Sequence, residues 1–296
     1  MKLHSVKLRD ASGESHHTRL KRGDPSRYMS QSDLKRILYN PYAWLMGAFK
    51  TSDAMRQGSL LDVLTLTPED FERLYAIQPE TYEKEVTKGR APNKTTTIET
   101  KPWSLASNTC KEIKAALEAS GTQIISQDWL HTAYLARDAI RQRMAGGVSV
   151  GELIDSGNLT IQQSWEGIYT IDDFDIPVCG LMDAAYLEQD RSIIYDLKKV
   201  ADASERKFNF DGRSYGYDIQ AAFYSDAMAE LYGPTRFGWW TVTFEKLPLT
   251  GLYSASEKCI REGRAKYERA LATYAKCIKD DHFPDFTPEG FVEIDM

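Results

Sequence analysis

The chain lacks clustered cysteine. Its four cysteines, Cys110, Cys179, Cys259 and Cys277, stand far apart and form no C-x-x-C pair. That spacing excludes an iron–sulfur cluster, which needs clustered thiolates, and a reducing compartment would leave the thiols unpaired. The five histidines, His4, His16, His17, His131 and His282, show no ligand spacing. No G-x-x-x-x-G-K-[ST] loop is present, so coupling to ATP is not expected. Nor do Ser and Cys residues carry a nucleophile signature. No apolar run has membrane-spanning length. Lys2, His4, Lys7 and Arg9 lie among polar residues near the N-terminus, without the apolar core of a signal peptide. The expectation is a cytoplasmic protein with no membrane partner. Net charge is −6, which argues against a general DNA-coating protein. It leaves room for an enzyme that gathers its Lys and Arg into one channel.

The 296 residues suffice for one large domain or two small ones. Residues 1–27 read as a polar arm, either loose or lightly tethered. Ser30 is an N-cap with Asp33 at N3, opening a helix through Leu34, Ile37 and Leu38 that stops near Asn40–Pro41. A second helical segment covers 54–66, and Thr67–Pro68 starts another. Residues 79–103 are polar and read as a long exposed loop. It is either a solvated linker or a phosphate-contacting flap that uses Lys88, Arg90 and Lys94. Amphipathic helices follow near 104–119 and 127–145. The period then shortens to two. Strands are expected at 159–165, from 176 through Asp183, around Asp196, and at 237–244. Helices are expected at 215–231 and 255–279, with an extended tail beyond. Mixed strands among helices predict one α/β domain, with a central mixed sheet and a helical N-terminal subregion. Its parts are 28–157, mainly helical; 158–250, sheet and helix; and 251–296, a final helix and tail.

The most informative stretch is Gly180–Leu181–Met182–Asp183 followed by Ile193–Ile194–Tyr195–Asp196–Leu197–Lys198. It reads as a hairpin turning at Gln189–Asp190. An even loop centred there pairs residues whose numbers sum to about 379, which sets Asp183 opposite Asp196. Asp196 and Lys198 are two apart and share a face. Two carboxylates so close repel unless a cation lies between them. Mg²⁺ or Mn²⁺ suits such a pair, with phosphate oxygens completing the shell. Lys198 is then either a structural partner of Asp196 or a charge that orients water and steadies phosphate.

This constellation resembles the PD-(D/E)xK nuclease superfamily, and within it the RecE-like, exonuclease VIII-type branch. Gly180–Asp183 stands at the branch's Gly-x-x-Asp, and Ile194–Lys198 at its Asp-x-Lys strand. Tyr217–Tyr224 stands at its helix bearing Gln and Tyr, which puts Gln220 and Tyr224 at the site and Tyr217 on the same stripe. The plain alternative for that helix is a wet polar side. Two positions depart from the pattern. Gly58–Asp62 resembles the family helix that ends in His, but position 62 is Asp. It is either a third metal ligand or an exposed polar residue. Gln162 stands where the family has Glu, and Glu166, on the same face by its even spacing, could compensate.

The resemblance implies a PD-(D/E)xK nuclease-like core and a metal-dependent DNA exonuclease. Such an enzyme would digest linear duplex DNA from its ends, 5′ to 3′, leaving 3′ single strands for recombination. It also implies a ring-shaped homo-oligomer, a single-strand annealing partner, and a phage or prophage setting. Two rivals stay open: a catalytically impaired DNA-binding or assembly subunit on the same fold, and a nuclease of different polarity or substrate.

Overall fold

The computed structural model describes residues 1–9, 20–88, 94–287 and 290. The chain opens with β1 (Lys2–Arg9), α1 (Gln31–Tyr39), α2 (Pro41–Leu45) and α3 (Asp53–Leu66). A short 3-10 turn, Pro68–Asp70, leads into α4 (Phe71–Leu74), β2 (Tyr75–Ile77), β3 (Thr81–Lys88) and β4 (Thr95–Pro102). Next come α5 (Asn108–Ala119), β5 (Gln123–Ile125), α6 (Gln127–Gln142), β6 (Met144–Ala145), β7 (Val148–Ser149) and α7 (Val150–Asp155). The second half holds β8 (Thr160–Ile171), β9 (Phe174–Glu188), β10 (Arg191–Val200), α8 (Glu205–Tyr215) and α9 (Tyr217–Tyr232). It closes with β11 (Thr235–Thr243), β12 (Thr250–Ser254) and α10 (Glu257–Lys279). Among the described residues, no helix is long and apolar enough to cross a membrane.

The central sheet runs β1–β8–β9–β10–β11–β12. Only the β10–β11 pair is parallel, because α8 and α9 carry the chain back to the starting edge between them. The β8–β9 turn sets Asp172 and Asp173 at φ 45° and 64°, the left-handed pair that a tight hairpin needs. The β9–β10 turn puts Asp190 at φ 72°. The ladder that follows pairs Arg191 with Glu188 and Tyr195 with Ala184.

Helices cover both faces. One core joins α1, α9 and α10 to the sheet through Leu34, Ile37, Trp165, Ile194, Phe223, Phe237 and Tyr274. The other joins α3, α6 and α7 through Leu61, Ile140, Val150, Leu197, Trp240 and Val242. Adjacent Trp239 and Trp240 go to opposite cores, which is why β11 reads as a continuous apolar run. The expected mixed sheet flanked by helices is therefore the architecture found.

Helix α1 is placed with care. Ser30 and Asp33 form a reciprocal capping box. The second Asp33 oxygen accepts Trp44 Nε1 at 2.8 Å. Just ahead of the cap, Met29 donates to Pro177 O at 2.8 Å and accepts from Cys179 N at 3.1 Å. These bonds dock the start of α1 onto β9.

Two expectations need correction, and one element was not anticipated. Residues 2–9 are not a loose arm but the edge strand β1, paired antiparallel with β8. A break in register between His4 and Lys7, with Ser5 at φ 55°, interrupts the alternation that would have revealed it. Within 79–103, the described segments Thr81–Lys88 and Thr95–Pro102 are not loop. They build the hairpin β3–β4, a two-stranded sheet of its own. Its side chains are mostly exposed on both faces, so no apolar period marks it. The helix expected at 215–231 is α9, and a helix not anticipated, α8, precedes it and ends at Gly216, which sits at φ 65°, ψ 42°. Of the expected arm, residues 10–19, including His16 and His17, lie outside the described residues, as does Arg90.

Candidate active site

The ladder between β9 and β10 ends at the Ala184–Tyr195 pair. Continuing it would set Asp183 against Asp196. Instead the Asp183 carboxylate takes over as acceptor, receiving Leu197 N–H on Oδ2 at 2.8 Å. Substituting a side-chain oxygen for a strand carbonyl lets the two strands part while the backbone donor stays satisfied. Asp183, Asp196 and Lys198 lie in this parting.

Asp196 is 3% exposed. A buried carboxylate needs partners, and two are present. Gln220 Nε2 donates to Oδ1 at 2.6 Å, and the Lys198 ammonium pairs with Oδ2. Gln220 comes from α9, whose residues Asp218 to Ser225 are all buried. Over that stretch the helix has no wet polar side. Tyr224, one turn after Gln220, accepts Leu181 N–H at 3.4 Å. Burial, then the nearby Asp196 charge, pushes its phenol up, so it stays protonated. Gly180 makes room for this ring. A Cβ there would lie 2.8 Å from Tyr224 Cε1 and 2.5 Å from Trp165 Nε1.

Asp62 comes from α3, on the opposite face of the sheet from α9. Burial first, then the charge of Asp183, raises its pKa well above the usual carboxylate range, with Lys198 opposing. Burial and the charge of Asp196 raise Asp183 to about 7. Lys198 moves the other way. Burial alone would lower it, but the Asp196 and Asp183 charges outweigh that and hold the ammonium protonated. Three carboxylates thus share one lysine and crowd each other's charge. Excess negative charge of this kind is a common mark of a functional site.

Gln162 lies on β8 at the level of the site. Its neighbours pair Ile161 with Ala184 and Gln163 with Met182, so by count it is level with Asp183, but the ladder skips that pair. Its φ of 50° lies in a region that side chains seldom adopt. Glu166 is elsewhere. Four strand residues separate it from Gln162, about 13 Å at ~3.3 Å per residue. Its carboxylate is engaged by Lys7 at 3.0 Å and Arg9 at 2.7 Å, both from β1. It has no part in the acidic row. Tyr217 is near the site, with the Lys198 ammonium 5.6 Å from its ring centre.

In the β3–β4 hairpin, Lys88 is exposed and paired with Glu99 at 2.8 Å. Lys94 is exposed at the hairpin's edge. The structure does not gather these two with the carboxylates.

One site residue was not anticipated. Lys35 of α1 lies 5.8 Å from the Tyr217 ring centre. Burial and the charge of Lys198 lower it to about 7. Nothing in the spacing of α1 singles it out from the other basic residues.

The donor set suits a hard cation. Asp62, Asp183 and Asp196 offer only oxygens, and Mg²⁺ takes one or two carboxylates and leaves the rest of its shell to water and phosphate. Among the described residues, no group of three or more His, Cys, Asp or Glu is ready to hold a metal as it stands. The Lys198–Asp196 pair occupies one of the oxygens. A bound cation would compete with that ammonium for Asp196, and its own charge would relieve the repulsion among the acids.

A mixed sheet that parts around an Asp pair and a lysine, with a Gln-bearing helix behind it, defines a PDDEXK-like domain. The chain belongs to the family described as PDDEXK-like domain of unknown function (DUF3799), whose model matches residues 30–289. A search of curated proteins finds no match. Among solved structures, one named "Putative exonuclease" from Eubacterium rectale is similar over 96% of each chain, with a TM-score of 0.56 and 13% identity. That likeness is one of fold. SSO0001 covers 41% of this chain and 54% of its own, with 12% identity and a TM-score of 0.27. VC1899 from Vibrio cholerae covers 84% of this chain and 50% of its own, with 10% identity and a TM-score of 0.20. Neither of the last two bears on the argument.

Proposed function

We propose that the protein is a metal-dependent nuclease that hydrolyses phosphodiester bonds of DNA. The observation that carries this reading is the crowding of Asp62, Asp183 and Asp196 around Lys198, with Gln220 fixing Asp196 from behind. Family membership and the name of the Eubacterium rectale structure support it.

Asp183 and Asp196 would hold Mg²⁺ or Mn²⁺, with Asp62 as a third ligand. The ion would lower the pKa of bound water and neutralise phosphate charge. Lys198, protonated and freed from Asp196, orients the attacking water or offsets charge on the phosphate oxygens. Gln220 keeps the Asp196 carboxylate aimed, and Tyr224 braces the Gly180–Leu181 backbone that precedes Asp183. Tyr217 helps shape the approach to Lys198.

The finer reading is an exodeoxyribonuclease acting on the ends of linear duplex DNA, 5′ to 3′. Its product would be 3′ single strands for recombination, in a phage or prophage setting. A homo-oligomeric ring would keep it on its track, and a single-strand annealing protein would take its product. This reading rests on the likeness of the Gly180–Asp183, Ile194–Lys198 and Tyr217–Tyr224 segments to RecE-like enzymes. Gln162, a neutral amide where the resembling family has Glu, favours the rival of a DNA-binding subunit with impaired catalysis.

Purified protein incubated with Mg²⁺ and end-labelled linear or closed circular duplex DNA separates the readings. Release of nucleotides from linear DNA alone is expected. Nicking of circles would make it an endonuclease. Binding without nucleotide release would leave the binding subunit.

A further inference from the structure

Around the Tyr217 ring stand two lysines in different electrical states. Lys198 is paired with Asp196. Lys35 has no hydrogen-bond or ion-pair partner among the described residues. The acids nearest to it are already committed. Asp196 holds Lys198 and Gln220, and Asp218 pairs with Lys266 at 2.6 Å.

The slot for Lys35 is built from three elements. α1 supplies the residue, its start pinned to β9 through Met29. The turn between α8 and α9 passes beside the stem at Gly216. A Cβ on Gly216 would lie 3.2 Å from Lys35 Cε and 3.3 Å from Cδ. Gly216 therefore serves twice, adopting φ 65° and leaving space for the lysine stem. Tyr217 offers its ring to the ammonium, a contact too weak to replace a counter-ion.

A crowded ammonium without a counter-ion is costly, and an apolar side chain in the same slot would avoid the cost. Keeping the charge there makes sense if an anion arrives with the substrate. We propose that Lys35 is a substrate-binding residue whose ammonium takes a backbone phosphate of the nucleic acid next to the scissile one. This rests on the nuclease reading above. Lys198 serves the reacting phosphate and Lys35 its neighbour, so the two lysines read successive phosphates along one strand. The contact is to a phosphate and carries no base preference.

Three proteins test this: the full chain, Lys35→Met and Lys35→Arg. Methionine keeps an unbranched stem against Gly216 and Tyr217 and removes the charge. Binding of linear duplex DNA is measured in EDTA over a range of NaCl concentrations, and digestion is measured in Mg²⁺. A phosphate contact predicts that Lys35→Met flattens the slope of log affinity against log salt by about 0.9. Its KM in Mg²⁺ should rise about tenfold, with thermal unfolding unchanged, and Lys35→Arg should restore both. If the Met variant keeps the full slope and KM while the parent digests DNA, Lys35 is only a packing residue and this inference fails alone. If the parent neither binds nor digests DNA, the nuclease reading fails with it.

Discussion

Two groups of carboxylates, one on the sheet and one where the sheet meets α3, are handled in opposite ways. On β8, Glu166 is 5% exposed and faces two cations from β1, Lys7 and Arg9. Burial would raise its pKa, but the two cations outweigh that and lower it. Its charge is fully compensated. In the parting of β9 and β10, Asp62, Asp183 and Asp196 share Lys198, and burial with mutual repulsion raises Asp62 and Asp183. The first arrangement joins an edge strand to the sheet. The second gathers more negative charge than its one lysine offsets. Compensation, not burial, separates a structural carboxylate from one held ready for a ligand.

The largest effect expected from this contrast is on cleavage. Asp196→Asn should reduce metal-dependent DNA digestion at least about a thousandfold, with an unchanged circular dichroism spectrum. Glu166→Gln should leave the rate within about twofold. Equal losses in the two variants would erase the distinction. Asp62 should give an intermediate response. Asp62→Ala is expected to lower kcat/KM about tenfold to a hundredfold, whereas Asp62→His, which restores the residue of the resembling family, should retain activity. A collapse of Mn²⁺ binding in the His variant, read by calorimetry, would assign Asp62 a role that imidazole cannot fill.

The third expectation concerns pH. Asp183 titrates near 7 in the folded protein, above its unfolded value of 3.8. A carboxyl group raised in this way contributes most to stability below pH 4, and that contribution is lost as pH rises through about 7. A divalent cation competes with the same proton. Its affinity should therefore strengthen about tenfold per pH unit up to roughly 7, then level off. The rise in melting temperature on adding Mg²⁺ should grow over the same window and shrink in Asp183→Asn. A pH-independent Mg²⁺ affinity between 5 and 7 would contradict it. The smallest effect belongs to the compensated cluster. Glu166→Ala should cost about 1–2 kcal/mol of unfolding free energy, since its partners are partly exposed and rehydrate. Chemical denaturation would show it, with digestion per folded molecule unchanged.

The same contrast shows what could be read from the sequence. The register of β9 and β10 was legible because a two-residue turn and a period of two determine it, and the ladder runs in that frame up to its last pair. The Asp-x-Lys strand and the Gln–Tyr helix were legible as a resemblance, and the helix's place behind Asp196 follows from its packing. The partners of Glu166 were not legible. Even spacing put it on the face of Gln162, but distance along the strand removes it from the row. The strand that neutralises it is hidden by the irregularity at Ser5. Helix α8 was missed because only Phe208 and Gly212 of it are buried, too few to impose a period. Lys35 was missed for a different reason. Its isolation depends on which acids other elements have already claimed, and no local pattern records that.

Crystals of the protein soaked in Mn²⁺ and measured for anomalous scattering test the central claim most directly. The account predicts a peak between the Asp183 and Asp196 carboxylates, about 2.1–2.2 Å from the nearest oxygens, with Lys198 drawn away from Asp196. A Lys198–Asp196 pair left intact with no peak beside it, or a peak at Glu166 instead, would contradict it.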